Sequence, residues 1–161
     1  FDPAQWERWE ATGADAIVAV PGAVEAFAAL RKAGVTPVIN SNRSTKTAAG
    51  TIAALKAAGL GDFDLGKTLF LRDGSSGKDA RRATIAARWC VVAMAGDQLG
   101  DFSDLFGAIQ NSSERRRAAD TTPIAELWGN GWFVLPNPVY GSALKGDFDD
   151  VFPIDKRWKD Q

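Results

Sequence analysis

Histidine is absent from the 161-residue chain, and Cys90 is its only cysteine. The usual zinc ligand sets, a Ser-His-Asp triad and an internal disulfide are therefore excluded. Any bound metal must be a hard cation held by oxygen atoms. No apolar run approaches the roughly 18 residues that a membrane span needs, and no apolar segment of the signal or anchor type is present in the chain.

An excess of charge of one sign is also lacking, because 19 basic side chains are balanced by 20 acidic ones. A formal net charge of −1 removes the broad positive field that sequence-independent binding of nucleic acids or anionic membranes requires. We therefore expect no nucleic-acid partner. The length suits one domain with its own hydrophobic core.

Helical and extended patterns alternate along the chain, which predicts an α/β fold with an open, mostly parallel sheet and helices on both faces. The predicted helices lie near residues 21–34, 45–58 and 78–88, and the predicted strands near residues 35–40, 68–71, 90–95 and 132–135. Residues 111–122, which include three consecutive arginines, are expected to form a surface loop. Ligands of such sheets bind beyond the carboxyl ends of the strands.

One segment, residues 61–68, matches the phosphate-binding pattern Gly-x4-Gly-Lys-Thr. A nucleotide-binding loop of that type follows a strand and opens a helix, whereas this segment follows a predicted helix and enters a predicted strand. Asp62 and Asp64 would also place two carboxylates against phosphate oxygens. The segment is therefore interpreted as a turn.

Groups suited to phosphate chemistry follow three of the predicted strands. Residues 41–43, Ser-Asn-Arg, offer a hydroxyl, an amide and a guanidinium to a phosphate oxygen. Lys78 begins a helix after a Gly-Ser-Ser-Gly stretch, and Asp97 and Asp101 follow the apolar strand. Two carboxylates beside an anion require a cation between them, which favours Mg²⁺. Each group alone would more often be a cap, a surface residue or a turn former, so their joint placement carries the prediction.

These residues belong to motifs that follow one another in a specific order. Ser-Asn-Arg at 41–43, Lys78 with two nearby arginines, Gly-Asp-Gln-Leu-Gly-Asp-Phe at 96–102 and Leu-Pro-Asn-Pro-Val-Tyr-Gly at 135–141 resemble subfamily IIIB of the haloacid dehalogenase (HAD) superfamily. The nearest likeness is to its e(P4)-type acid phosphatase and 5′-nucleotidase group. A Trp-x-x-Trp pair at 6–9 resembles that group's junction between cap and core.

The resemblance implies a Mg²⁺-dependent phosphomonoesterase with a HAD-like (Rossmann-like) fold that acts through an aspartyl-phosphate. The catalytic residues would be Ser41, Lys78, Asp97 and Asp101. The substrate-binding residues would be Asn42, Arg43, Trp9 and Tyr140. Ser41 would hydrogen-bond the phosphoryl group, Lys78 would neutralise its charge, and Asp97 would ligate the metal. The substrate would be a small phosphate monoester, either a nucleotide or an aryl phosphate.

Domain limits and location are implied in the same way. Residues 1–161 would form a single HAD-like domain, with a small helical cap-related segment at 1–20, a core at 21–145 and a C-terminal tail at 146–161. The group's members imply a periplasmic, secreted or outer-membrane-associated protein.

One element of the family pattern is not found in the chain. The Asp-x-Asp motif, whose first Asp attacks phosphorus and whose second acts as general acid and base, would precede the Trp-x-x-Trp pair on the central strand. We expect that strand to come from an N-terminal segment outside the chain, from a rearrangement, from a homo-oligomer or from a strand-supplying partner, because two edges would otherwise stay unpaired. The chain alone is then expected to be inactive.

The alternative is a non-catalytic descendant of the HAD fold that serves in binding, storage or assembly. Loss of the nucleophile would be the expected mark of such a protein. The retained Ser41, Lys78, Asp97 and Asp101 favour the enzyme, because a storage or scaffold role does not need them.

Overall fold

The computed structural model describes residues 2–137, 140–141 and 146–157. The chain divides into two compact units, Phe1–Ser76 and Gly77–Gln161, which are called the N-terminal and C-terminal units below. Each unit contains one pair of parallel strands with helices around it. No helix in the described ranges is both long and apolar enough to cross a membrane.

The N-terminal unit alternates helices and strands. Its helices are α1 (Pro3–Thr12), α2 (Ala23–Lys32) and α3 (Ala48–Ala57), with short 3-10 turns at Ala14–Ala16 and Thr45–Thr47. Its strands are β1 (Ile39–Ser44) and β2 (Leu69–Arg72). The strands pair in parallel, with Ile39 opposite Leu69 and Ser44 opposite Arg72. Their carboxyl ends therefore meet at one edge of the sheet.

The core of this unit consists of Phe63, Leu69 and Leu71, which are packed against half-buried apolar side chains of α2, α3 and β1. Burial of each of these side chains stabilises the fold by roughly 1.5–3 kcal/mol. Helix α1 approaches α3 at Gly50, where an added Cβ atom would lie 2.2 Å from the carbonyl oxygen of Glu10. Only glycine permits this approach, so Gly50 fixes where α1 sits on the unit.

The C-terminal unit is richer in short elements. Its helices are α4 (Asp79–Ala86), α5 (Leu105–Ala108), α6 (Ser112–Ala119) and α7 (Phe148–Val151), with 3-10 turns at Leu99–Asp101, Ile124–Leu127 and Ile154–Lys156. Its strands β3 (Met94–Gly96) and β4 (Trp132–Val134) pair in parallel. Phe102 and Phe106 are buried. The centroid of the Phe102 ring lies 5.1 Å from that of Trp128 and 5.3 Å from that of Trp132.

Two predicted strands have different limits in the structure. The first lies at Ile39–Ser44 instead of 35–40, so the Ser-Asn-Arg motif is part of β1 and does not begin a helix. The predicted strand at 90–95 is wrong over residues 90–93, because only Met94–Gly96 pairs with a neighbour and Val91 and Val92 are exposed. An apolar run becomes a strand only where another strand supplies its hydrogen bonds.

The loop predicted at 111–122 is also wrong, since residues 112–119 form α6. The Asn111 side chain caps this helix by accepting a hydrogen bond from the N–H of Glu114. Arg115 is buried and donates to the carbonyl oxygens of Ile109 and Gln110. The arginine run is therefore part of a helix, and Arg115 anchors that helix to the preceding segment.

The turn predicted at residues 61–68 is confirmed. The segment links α3 to β2, and the N–H groups of Lys67 and Thr68 donate to the carbonyl oxygen of Asp64. The segment enters a strand and does not open a helix, as a nucleotide-binding loop would.

Candidate active site

Two of the predicted substrate-binding residues, Arg43 and Trp9, come together in the N-terminal unit. Asn42 and Arg43 lie on β1, and the guanidinium carbon of Arg43 lies 4.9 Å from the centroid of the Trp9 ring. This is cation–π distance, so the half-buried Arg43 side chain rests on an aromatic face. The Ser41 hydroxyl oxygen accepts a hydrogen bond from the N–H of Arg43 at 3.2 Å. A local hydrogen bond thus links the first and third residues of the Ser-Asn-Arg motif.

A residue that the sequence analysis did not single out fixes this arrangement. Glu10 on α1 is only 2% exposed. Its Oε1 accepts from the Trp6 indole at 2.8 Å, while its Oε2 accepts from the N–H of Ser44 at 3.2 Å and the hydroxyl of Thr47 at 2.9 Å. Both carboxylate oxygens are used, so Glu10 ties α1 to the segment that follows the Ser-Asn-Arg motif.

In the C-terminal unit the structure brings Lys78 and Asp101 together. The Lys78 ammonium lies 2.6 Å from Asp101 Oδ1, and the two side chains are only 14% and 15% exposed. Lys78 is the residue immediately before α4. The Asp104 carboxylate accepts hydrogen bonds from the N–H groups of Lys78 and Asp79, at 2.8 and 3.0 Å. Asp104 thus caps α4 and orients its first residue.

Asp101 also closes the loop that follows β3. Its Oδ2 accepts from the N–H groups of Asp97 and Gln98, at 3.0 and 2.9 Å. A Cβ atom at Gly96 would lie 2.5 Å from Asp101 Oδ2, so glycine is required for the carboxylate to fold back on the loop. With Lys78 on its other oxygen, Asp101 has both oxygens occupied. Asp101 therefore fixes the position of the Lys78 ammonium relative to the loop after β3.

Asp97 and Tyr140, two further predicted site residues, are in contact in the C-terminal unit. Asp97 Oδ2 accepts from the Asn137 amide at 2.6 Å and from the Tyr140 hydroxyl at 3.2 Å. Burial, and then the charge of Asp97, raise the pKa of Tyr140, so its phenol keeps its proton. Pro138 and Val139 of the same motif lie outside the described residues.

The family model for HAD superfamily subfamily IIIB (acid phosphatase) matches residues 1–143. The chain belongs to this subfamily. The likeness seen in the motifs is thereby confirmed, and the predicted HAD-like α/β fold agrees with the solved structures that the chain resembles. A comparison with curated protein sequences found no match.

Two solved structures of the Class C acid phosphatase from Bacillus anthracis are similar to the chain. One superposes with a TM-score of 0.74 at 27% identity and covers 88% of this chain. The other, with tungstate bound, has a TM-score of 0.73 at 23% identity and covers 94% of this chain. The chain spans 57% and 65% of the lengths of those two proteins. The second, at its lower identity, supports the fold only.

The donor set fits a divalent cation at one carboxylate only. Asp97 Oδ2 is engaged by Asn137 and Tyr140, which leaves Oδ1 as a hard oxygen ligand of the type that Mg²⁺ prefers. Asp101 does not fit as a ligand, because ammonium and backbone N–H groups use both of its oxygens. Among the described residues, no three acidic or cysteine side chains cluster closely enough to enclose a metal. A subfamily IIIB metal would therefore take Asp97 plus other oxygens.

Two Asp-x-Asp sequences occur in the chain, but neither ends a strand. Asp62 and Asp64 lie in the turn before β2, and Asp147 and Asp149 lie at the start of α7. The nucleophilic pair of the HAD superfamily follows an apolar strand, so these carboxylates do not fit that role. Asp147 instead caps α7, accepting from the N–H of Asp150 at 2.9 Å.

Arg82 on α4 is one of the two arginines noted beside Lys78 in the sequence, but no role was predicted for it there. Its Nη1 donates to the carbonyl oxygens of Gly100 and Asp101, at 3.1 and 2.8 Å, and its guanidinium pairs with Asp79 and Asp104. It therefore clamps the loop after β3 against α4. Its spacing of four residues from Lys78 was the available signal, because i and i+4 share one face of a helix.

Proposed function

We propose that the full-length protein is a phosphomonoesterase that uses Mg²⁺ and acts on small phosphate monoesters through an aspartyl-phosphate. The observation that carries the proposal is the Lys78–Asp101 pair: a largely buried ammonium is bound by a carboxylate that also accepts from the N–H of Asp97 in the loop after β3. A fixed cation in a partly desolvated site stabilises the charge that develops on a transferring phosphoryl group. Membership of subfamily IIIB supports the same activity.

The residues of this chain take distinct parts in the proposed reaction. Ser41 and the Arg43 guanidinium donate to phosphate oxygens, and Lys78 balances the phosphate charge. Asp97 holds Mg²⁺, which supplies Lewis-acid stabilisation of the phosphoryl oxygens. Trp9 and Tyr140 offer aromatic surface to the base or aryl part of the substrate. These roles, like the choice between nucleotide and aryl substrates, are proposals.

The attacking carboxylate is expected to lie in a part of the protein outside the described residues. Asp101 is excluded as a nucleophile by its occupied oxygens, and Asp97 by its proposed role at the metal. Residues 1–161 alone are therefore predicted to show no turnover, since water without an activating carboxylate attacks phosphate monoesters extremely slowly. A periplasmic, secreted or outer-membrane-associated location remains part of the proposal.

The proposal is tested on the full-length protein by Asp97→Asn. We expect Mg²⁺ affinity to fall by more than the 10–100-fold that loss of an outer-shell partner causes, with turnover of aryl phosphates and nucleotides falling in parallel. Asp120→Asn, at an exposed position just after α6, is the matched control and should change neither quantity. Calorimetric Mg²⁺ titration and steady-state rates are the measurements.

The outcomes separate the two candidate functions. Mg²⁺ binding and turnover that survive Asp97→Asn unchanged would contradict the assignment of the metal site. Mg²⁺ binding without turnover of any phosphate monoester by the parent protein would favour the non-catalytic alternative.

A further inference from the structure

A cleft of about 220 Å³ opens in the N-terminal unit where β1 and β2 end. Ser44 and Arg72 stand opposite each other as register partners at the last positions of the two strands. The cleft is lined by Ser44, Thr45, Lys46, Arg72, Asp73 and Gly74. Ligands of open α/β sheets bind at this edge, beyond the carboxyl ends of parallel strands.

The lining is rich in donors to an anion. Arg72 is half-buried, and neither its guanidinium nor the ammonium of Lys46 has an ion pair or hydrogen bond with a side chain among the described residues. Partly buried cations in folded proteins are usually paired. Asp73 is the one carboxylate in the lining, and it is exposed, so the lining itself carries an excess of one positive charge. The Glu10 carboxylate, which accepts from the N–H of Ser44, opposes part of that charge.

The size of the cleft suits a small group. Its volume is enough for one phosphate group together with a few water molecules. The Ser44 hydroxyl lies three residues from Ser41 on the same strand, which is no more than roughly 10 Å along the backbone. Two anionic groups of one small molecule can therefore occupy the Ser-Asn-Arg motif and the cleft together.

We propose that this cleft is an anion subsite that receives a second phosphate group of the substrate, held by Arg72 and Lys46. The inference rests on the proposed phosphomonoesterase function and narrows its substrate class to molecules with two phosphates. Arg72 supplies a planar fork of N–H donors that matches phosphate oxygens, and Lys46 supplies a mobile point charge. The Ser44 and Thr45 hydroxyls complete the set of donors.

The test compares butyl phosphate with 1,4-butanediol bisphosphate, which have the same four-carbon chain and differ in the second phosphate. The parent full-length protein should show a lower KM for the bisphosphate. Arg72→Gln should raise that KM about 10-fold or more, as expected for loss of a charge-assisted hydrogen bond, and leave the KM for butyl phosphate unchanged. Lys46→Gln, at an exposed position, should act in the same direction with a smaller effect.

The control is Lys32→Gln, which removes an exposed positive charge at the last residue of α2. Lys32 precedes the first residue of β1, whereas the cleft lies at the last residue of that strand. It should leave both KM values unchanged. Thermal unfolding of every variant separates loss of binding from loss of the fold, and the exposed Lys46 keeps the test available if Arg72→Gln is unstable. Equal KM values of the parent for the two substrates, or an equal rise for both in Arg72→Gln, would overturn the proposal.

Failure of the proposed function gives a different result. If the parent hydrolyses neither compound, calorimetric titration with 1,4-butanediol bisphosphate decides the subsite by itself. Binding that Arg72→Gln weakens and Lys32→Gln preserves would support the subsite without catalysis. No binding, or binding that Arg72→Gln leaves unchanged, would overturn it.

Discussion

Each unit of the chain has a buried carboxylate at its candidate site, but the two carboxylates have different surroundings. Glu10 receives hydrogen bonds from neutral groups only, whereas Asp101 receives the Lys78 ammonium in addition to backbone N–H groups. In the N-terminal unit the cations Lys46 and Arg72 are thus left without a carboxylate partner among the described residues. In the C-terminal unit the Lys78 ammonium already has a carboxylate partner, Asp101.

The comparison explains how one family fold can divide two tasks. A carboxylate that is satisfied by neutral donors organises a segment without consuming positive charge, so the cations nearby stay available to a ligand. A carboxylate that is paired with an ammonium fixes the position of that cation. The negative charge of the carboxylate also cancels part of the positive potential of the ammonium. The N-terminal unit is therefore suited to attract and hold an anion, and the C-terminal unit to position charge with little freedom.

The largest expected effect comes from removing the cation of the C-terminal unit. Lys78→Met would leave the Asp101 carboxylate largely buried without its partner, which costs roughly 3 kcal/mol of unfolding free energy. Turnover by the full-length protein should fall about 10²–10³-fold, as for loss of one preorganised charge contact. Urea unfolding and steady-state kinetics measure the two effects.

The matched control for that variant is Lys67→Met, because Lys67 pairs with Asp64 while both side chains are about 70% exposed. Such a pair contributes less than about 1 kcal/mol. The double variant Lys78→Met with Asp101→Leu should recover only part of the stability and none of the turnover, since it removes both charges but leaves the N–H groups of Asp97 and Gln98 without their acceptor. Equal destabilisation by Lys78→Met and Lys67→Met would mean that the buried pair has no special weight.

The next effect concerns Glu10. In Glu10→Gln the amide can accept at only one end, so its NH₂ group must face either the Trp6 indole N–H or the N–H of Ser44. A buried donor left without an acceptor costs about 1–3 kcal/mol. We expect that loss of unfolding free energy, a shift in tryptophan fluorescence, and a rise in KM with little change in kcat, because Glu10 positions the binding segment only.

Glu7→Gln is the control on the same helix, since Glu7 is exposed. It should leave stability, fluorescence and KM unchanged. A fall in kcat without a change in KM for Glu10→Gln would contradict a positioning role.

The limits of helices α2, α3 and α4 could be predicted more closely than the limits of strands β1 and β3. Helix α2 is bounded by local signals, with Gly22 before it and Gly34 after it at a φ of 76°. The apolar run at 90–95 carries an equally clear local pattern, yet only its last residues pair. Strand limits depend on the partner strand, which a local pattern does not contain.

The same distinction explains which site residues were missed. Lys78, Asp97 and Asp101 stand out because charged residues near a glycine-rich turn after an apolar run are unusual. Glu10 lies on a helix that also carries Glu7 and Arg8, where a glutamate is ordinary, and its donors at Ser44 and Thr47 are more than 30 residues away. Only the tertiary fold brings them together. For α6, by contrast, the Asn-x-x-Glu spacing at its start was a local signal for a helix.

The smallest expected effect is the pH dependence contributed by Asp104. Burial by itself would raise its pKa, but hydrogen bonds from the N–H groups of Asp79 and Lys78, with the charge of Arg82, outweigh burial and hold the pKa below its ordinary value of 3.8. A carboxyl group whose pKa is lowered in the folded state adds stability above its unfolded pKa and loses it as the pH falls through the folded pKa.

Because the Asp104 side chain is partly exposed, solvent screening limits its contribution to about 0.5–1 kcal/mol. Asp104→Asn should therefore be less stable than the parent by this amount at pH 6, and the difference should narrow at pH 3, as measured by urea unfolding. Asp120→Asn should show no such narrowing, and a difference for Asp104→Asn that is constant or grows as the pH falls would contradict the lowered pKa.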